Sequence, residues 1–257
     1  MAYTTINKSE DYFNTKLYTG NGSSQAITGV GFQPDFTWIK SRSGTYGAYN
    51  PQAYDAVRGA GATKDLTPAS TAVEGVDSGA HGYLSAFNSD GFTLTAGSSN
   101  SVQNNGASTE YASWNWKANG SSTTTPTGGT IATTVSANTT AGFSIFTYTG
   151  NGNAAHLAHG LGVAPDVVLI KGRTNTDNWF MKHKSLNANQ YIYLNDTGAI
   201  ASGANVWSNT NPDATKIYVG TDGGVNGNGI PYLGYAFAQK TGYSKFGSYT
   251  GNGNADG

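Results

Sequence analysis

"YTGNG", at Tyr18–Gly22, opens a stretch that the chain uses twice. "LYTGNGSSQAITGVGFQPDFTWIKSRS" (Leu17–Ser43) stands beside "TYTGNGNAAHLAHGLGVAPDVVLIKGRT" (Thr147–Thr174). Each runs from the pentapeptide into a small, Gly-broken segment, then Pro-Asp, then an apolar strand ending Ile-Lys. Pro34 to Lys40 and Pro165 to Lys171 have the same spacing, and Arg42 and Arg173 each follow two residues later. The far ends also match. "NGASTEYASWNWKA" (Asn105–Ala118) aligns with "NGIPYLGYAFAQK" (Asn228–Lys240), pairing Tyr111 with Tyr232, Trp114 with Tyr235 and Trp116 with Phe237. Self-similarity of this kind marks a repeated structural unit, and unequal lengths between matching ends are what diverging loops produce. The sequence predicts a tandem duplication.

The expected units are residues 1–118 as the first repeat, 119–127 as a Ser/Thr/Gly/Pro linker, and 128–242 as the second repeat. Residues 243–257 carry the pentapeptide a third time, at Tyr249–Gly253. They read either as the start of a third repeat in a longer array or as a strand that completes the second copy along its edge.

The periodic stretches are short and β-like. "DFTWIKS", "GFTLTAG", "TKIYVGT", "QYIYLND" and "YASWNWKA" alternate, as half-buried strands do. "DVVLIKG" is a continuous apolar run, the pattern of a strand buried on both faces. Asn-Gly and Asp-Gly punctuate them at Gly22, Gly91, Gly106, Gly152, Gly223 and Gly229, dipeptides suited to the positive φ of tight turns. Helical turns are expected only around Tyr54–Gly59 and Leu186–Gln190. The fold class is all-β: two tandem β-sandwich domains rather than closed barrels.

Composition narrows the function. Charged residues make up 11% of the chain, against roughly 25% in an average soluble protein, so neutral polar side chains must keep it in solution. A net charge of -1 offers no footprint for nucleic acid or an anionic membrane. Aromatics at 12%, with 16 Tyr, argue for a real core against the disorder that Gly-rich polar chains can show. There is no Cys, hence no disulfide and no thiolate metal site. No apolar run approaches the roughly 20 residues of a membrane helix. "MAYTTINKSEDYF" has no basic-then-apolar leader; release by host lysis would place such a protein outside a cell without one.

Residues that could carry chemistry are few. His156 and His159 form H-x-x-H, but zinc would want further ligands and the first copy has Gln25 and Gly29 there. Asp35 and Asp166, each after Pro, read as turn caps. Lys40, Lys171, Arg42 and Arg173 read as solvated strand ends that discourage stray pairing. The acids Glu74, Asp77, Asp90, Asp196 and Asp222 lack calcium-loop spacing, which leaves open only a calcium site assembled by the fold. No acid pair is singled out for glycoside cleavage, and no G-x-S-x-G is present; no enzyme, cofactor or metal is expected. Aromatics remain. Trp38, Trp114 and Trp116 lie in strands, and at least two of them are expected in the core. Trp179, Trp207, Tyr46 and Tyr49 lie in Asn- or Gly-rich loops and, with Asn209, form the candidate glycan site, where ring faces stack on sugars and amides bond hydroxyls; the alternative is that these aromatics only cover the ends of the sandwich.

"YTGNGS…GFQPDFTWIKSRS", "YASWNWKANG", "TVSANTTAGFSIFTYTGNG", "YLND" and "GYSKFGSYTGNG" together resemble a repeated domain of bacteriophage virion proteins, tail-fibre or tail-associated, of phages from marine and freshwater bacteria. The resemblance covers nearly the whole chain. It implies a jelly-roll or concanavalin-like fold, by analogy, and a structural place in the virion, extracellular after host lysis. The partners it implies are other virion subunits, with a homo-oligomer, a trimer by analogy. Linked copies would add avidity to weak sugar sites, so adhesion to host surface polysaccharide is the expected activity. A spacer or decoration protein without a ligand is the alternative, and a tail glycan depolymerase the third reading.

Overall fold

The computed structural model describes residues 4–43, 49–77, 79–120 and 122–254. The first half contributes β1 (Phe13–Thr19), β2 (Gln25–Thr28), β3 (Phe36–Ser41), β4 (Gln52–Asp55), β5 (Tyr83–Asn88), β6 (Gly91–Thr95) and β7 (Glu110–Trp116). The second contributes β8 (Thr134–Asn138), β9 (Phe143–Thr149), β10 (Ala155–Ala158), β11 (Val167–Gly172), β12 (Phe180–His183), β13 (Gln190–Tyr193), β14 (Ala201–Ser202), β15 (Lys216–Val219) and β16 (Pro231–Phe237). Among the described residues helix is confined to a 3-10 turn at Ser9–Asp11, α1 (Ala204–Trp207) and α2 (Gly223–Asn226). The two segments expected to turn helically, around Tyr54 and Leu186, form strand and non-helical turns instead.

The strands form four sheets, ordered β1-β7-β3-β4, β2-β6-β5, β14-β13-β12-β11-β16-β9-β8 and β10-β15. Pairing between the named strands is antiparallel throughout, and no sheet among the described residues closes into a barrel. A strand order recurs: β1-β7-β3-β4 in the first half is matched by β9-β16-β11-β12 in the second. Registers recur too. Tyr18 faces Tyr111 as Tyr148 faces Tyr232, and Phe36 faces Trp116 as Val167 faces Phe237.

The pentapeptide is a clasp between the first and last strands of each copy. Tyr18 stacks on Tyr111 with centroids 5.2 Å apart, and Tyr148 on Tyr232 at 5.0 Å. The Gly22 N–H donates to the Asn105 carbonyl and that of Gly152 to Asn226, each at 2.8 Å. The Asn105 and Asn226 amides then lock onto Asn21 and Asn151 in turn. Gly22 and Gly152 sit at φ 74° and 72°, a region that penalises any β-carbon. The functional partner in the second copy is therefore Asn226-Gly227, two residues before the Asn228-Gly229 that the aligned stretch began with.

Three apolar cores separate the four sheets. Ile27, Ile39, Tyr54, Leu84, Phe92 and Tyr111 fill the space between the two sheets of the first copy. Phe146, Leu157, Val168, Ile170, Trp207 and Ile217 do the same in the second. The third core is shared: Phe36, Ala53 and Leu66 meet Phe143, Val167, Leu169, Trp179 and Tyr235, with the Phe36 and Tyr235 ring centroids 4.2 Å apart. Every residue of β11 is consequently buried. Val167 and Leu169 face the first copy while Val168 and Ile170 face β10 and β15, which is why this strand reads as a continuous run.

Polar contacts fix the same seam. Asp55 and Glu74 both hold Arg58, at 2.5 and 2.9 Å, and Glu74 reaches Arg173 of the second copy at 2.6 Å. The Tyr235 hydroxyl donates to Asp55 at 3.1 Å. Residues of the 119–127 segment are tied down: Gly120 N–H donates to Asp35, Asn119 N–H to Ser136, and Thr124 pairs with Val135. No helix among the described residues is long and apolar enough to cross a membrane.

Candidate functional site

The loop tryptophans do not form a surface site. Trp179 and Trp207 are each 1% exposed, so neither offers a ring face to a sugar. Trp179 belongs to the shared core and donates its indole N–H to the Thr67 carbonyl at 3.1 Å. Trp207 is held under α1 in the core of the second copy. Their Asn-rich neighbours are polar because they line turns, and no local pattern there marks the rings as pointing inward. Asn209 is exposed, in the turn after α1, at φ 51°. Tyr49 is 38% exposed. Tyr46 lies outside the described residues.

The strand tryptophans do the opposite. Trp38 and Trp114 are direct cross-strand partners on β3 and β7, and with Trp116 they are half-buried rather than core. Together with Lys40 and Pro51 they line an open groove of about 400 Å³. Leu17, on the neighbouring β1 and the same face, is 54% exposed. This face is the one that the second copy covers at its Phe36 and Trp116 end. Beyond that cover it stays open. The equivalent residues of the second copy, Leu169 and Tyr235, are 7% and 1% exposed because the first copy lies over them.

Among the described residues the groove's lining is mostly aromatic and includes no carboxylate. At its end the Lys40 ammonium donates to the Ser41 carbonyl at 3.0 Å, and burial lowers its pKa. Lys171 repeats the arrangement in full burial, donating to Gly172 and Asn175, and burial takes it down to about 8. Lys171 secures its strand end from within rather than solvating an edge, whereas Lys40 stays half-buried and Arg42 is exposed. A second apolar cleft, of about 340 Å³, lies at the seam among Phe13, Phe143, Phe237, Tyr243 and Phe246.

The other candidates are structural. The Asp35 carboxylate accepts the Ala118 N–H at 2.6 Å, and Asp166 accepts that of Gln239 at 2.6 Å. Both clamp the chain leaving the last strand of their copy. His159 is fully buried, with Nε2 against the Asp213 carbonyl at 3.1 Å and Nδ1 accepting the Leu161 N–H. Burial lowers its pKa. His156 instead packs against Tyr218.

Residues 8–257 match the family described as a domain of unknown function, DUF7483, and the chain belongs to that family. No curated protein and no solved structure matches it.

Proposed function

We propose that this member of the DUF7483 family is a bacteriophage virion module, of a tail or surface fibre, that adheres to host-surface polysaccharide through the Trp38–Trp114–Trp116 groove. One observation carries the adhesive part: an open aromatic face among otherwise neutral polar surroundings. Exposed apolar patches of this kind mark interaction sites. Ring faces held by strand packing suit the apolar C–H faces of sugars. The virion assignment rests on the sequence resemblance, and within it each copy reads as one jelly-roll or concanavalin-like sandwich. The groove has no carboxylate pair for cleaving a glycosidic bond, so the reading is binding without catalysis.

A second reading has its own support. The open face continues the inter-repeat core, so a further repeat or a neighbouring subunit could cover it in a purely architectural fibre, a homotrimer included. Glycan-array and whole-cell binding, with mass by light scattering, separates the two. Adhesion predicts saturable binding that Trp38→Ala or Trp114→Ala weakens at least tenfold in a folded protein. Absence of binding, with an oligomer that the same substitutions dissociate, would replace adhesion by the architectural reading.

A further inference from the structure

Buried side-chain polar atoms in folded proteins nearly always have hydrogen-bond partners. Among the described residues nine have none, and six of the nine gather in one place in the first copy. They are Gln52 Oε1, Tyr54 OH, both carboxylate oxygens of Asp65, and Oδ1 and Nδ2 of Asn104. The four residues are between 0% and 2% exposed.

These groups converge. Gln52 and Tyr54 are two apart on β4 and so point to one face. Burial first, then the charge of Asp65 and more weakly that of Asp77, raises the Tyr54 phenol's pKa; the Leu84 N–H and the Asn104 side chain lie close enough to oppose the rise, though neither reaches its oxygen in hydrogen-bond geometry. Gln52 donates to Gln103, which donates to Asp77 at 2.6 Å. Acceptors outnumber donors, and the two carboxylates repel each other. Burial first, then Asp77, pushes the Asp65 carboxyl up to about 6; the N–H groups of Asp65 and Asp77 lie near enough to oppose this without hydrogen-bonding its oxygens. The Arg58 charge also opposes the rise from nearby, but its guanidinium pairs with Asp55 and Glu74 and not with Asp65.

The geometry points to a calcium site here, which we propose is built from Asp65, Asn104 and Gln52 with Asp77 as the second charge. Its acceptors are all hard oxygens, without nitrogen or sulfur ligands. Mixed carboxylate and amide oxygens suit the flexible coordination of Ca²⁺, whereas Mg²⁺ keeps several waters and demands a strict octahedron. No group of three or more His, Cys, Asp or Glu that could hold a metal occurs among the described residues; this site rests on two carboxylates completed by neutral oxygens. The second copy answers the same position differently. Lys182 pairs with Val168 as Tyr54 pairs with Thr37, and its ammonium donates to the carbonyls of Asn187, Ala188 and Gln190. There a side chain supplies the cation.

The test is Tb³⁺ luminescence excited through tyrosine on the EGTA-stripped full chain, with Ca²⁺ and Mg²⁺ as competitors, beside thermal melts. The site predicts saturable luminescence, because Tyr54 adjoins the ion, displacement by Ca²⁺ but not Mg²⁺, and a Tm raised by Ca²⁺. Asp65→Asn and Asn104→Ala should each weaken binding at least tenfold. A wild-type protein blind to both Tb³⁺ and Ca²⁺ overturns the site. Undiminished binding in the variants overturns it equally. Should Asp65→Asn fail to fold, the wild-type titration and Asn104→Ala still decide.

Discussion

At Gly20 and Gly150 an added β-carbon would lie 2.3 Å from a backbone oxygen, that of Gly106 and of Gly227. The obstacle is main chain and cannot rotate away, so Gly150→Ala should cost about 1–3 kcal/mol, measured by urea unfolding. Tryptophan positions separate in the same way. Trp207→Ala empties a core position and should cost about 3–5 kcal/mol, whereas Trp38→Ala on the open face should cost much less and affect binding instead. Asp65 makes stability depend on pH. Its folded pKa, about 6, lies above its ordinary value, so its contribution is complete below that ordinary value. It is lost as pH rises through about 6. Calcium-free protein should lose stability between pH 4 and 7, and Ca²⁺ should abolish that loss; melts across this range check both. The identities of these residues were legible in the sequence, but their exposure was not, because which way a ring points depends on the sheet laid against it.

Among the elements, strands were far more legible than helical turns. Alternation located β3, β6, β7, β13 and β15, and the continuous apolar run of β11 announced burial on both faces. By contrast, "TDGG" read as a tight turn, yet Asp222 caps α2 by accepting the Gly224 N–H at 2.9 Å. A four-residue helix with two glycines has no propensity of its own; tertiary contacts place it. One of those contacts is Asn226, which donates to Asn151, Asn153 and Gly220. Asn226→Ala should leave those acceptors unmet and cost roughly 1–3 kcal/mol. Asn105→Ala, its counterpart in the first clasp, should behave alike, and amide exchange would show opening at Gly152 or Gly22 respectively.

For the whole molecule, the seam between copies is the feature with most at stake. Glu74 joins Arg58 of its own copy to Arg173 of the other. Burial alone would raise its pKa, but the two guanidinium groups more than offset that, so it stays below the ordinary value. The stabilisation is therefore complete above the ordinary pKa and lost as pH falls through the folded one. Glu74→Ala leaves Arg173 without its carboxylate while Arg58 keeps Asp55, and should cost about 1–3 kcal/mol, with a smaller added loss when Arg173→Ala is combined with it; equilibrium unfolding of the single and double variants checks this. The sequence by itself determined the all-β class, the recurrence of the pentapeptide with its paired tyrosines, and the strand buried on two faces, because these depend on spacing and local chemistry that each stretch carries within itself. Only the tertiary structure decided that the two copies share a core, that the loop tryptophans point inward while the strand tryptophans stay open, and that Gln52, Tyr54, Asp65 and Asn104 meet. Those outcomes depend on long-range packing of one copy against another and of distant loops against a strand, and no local pattern encodes which face such packing will cover.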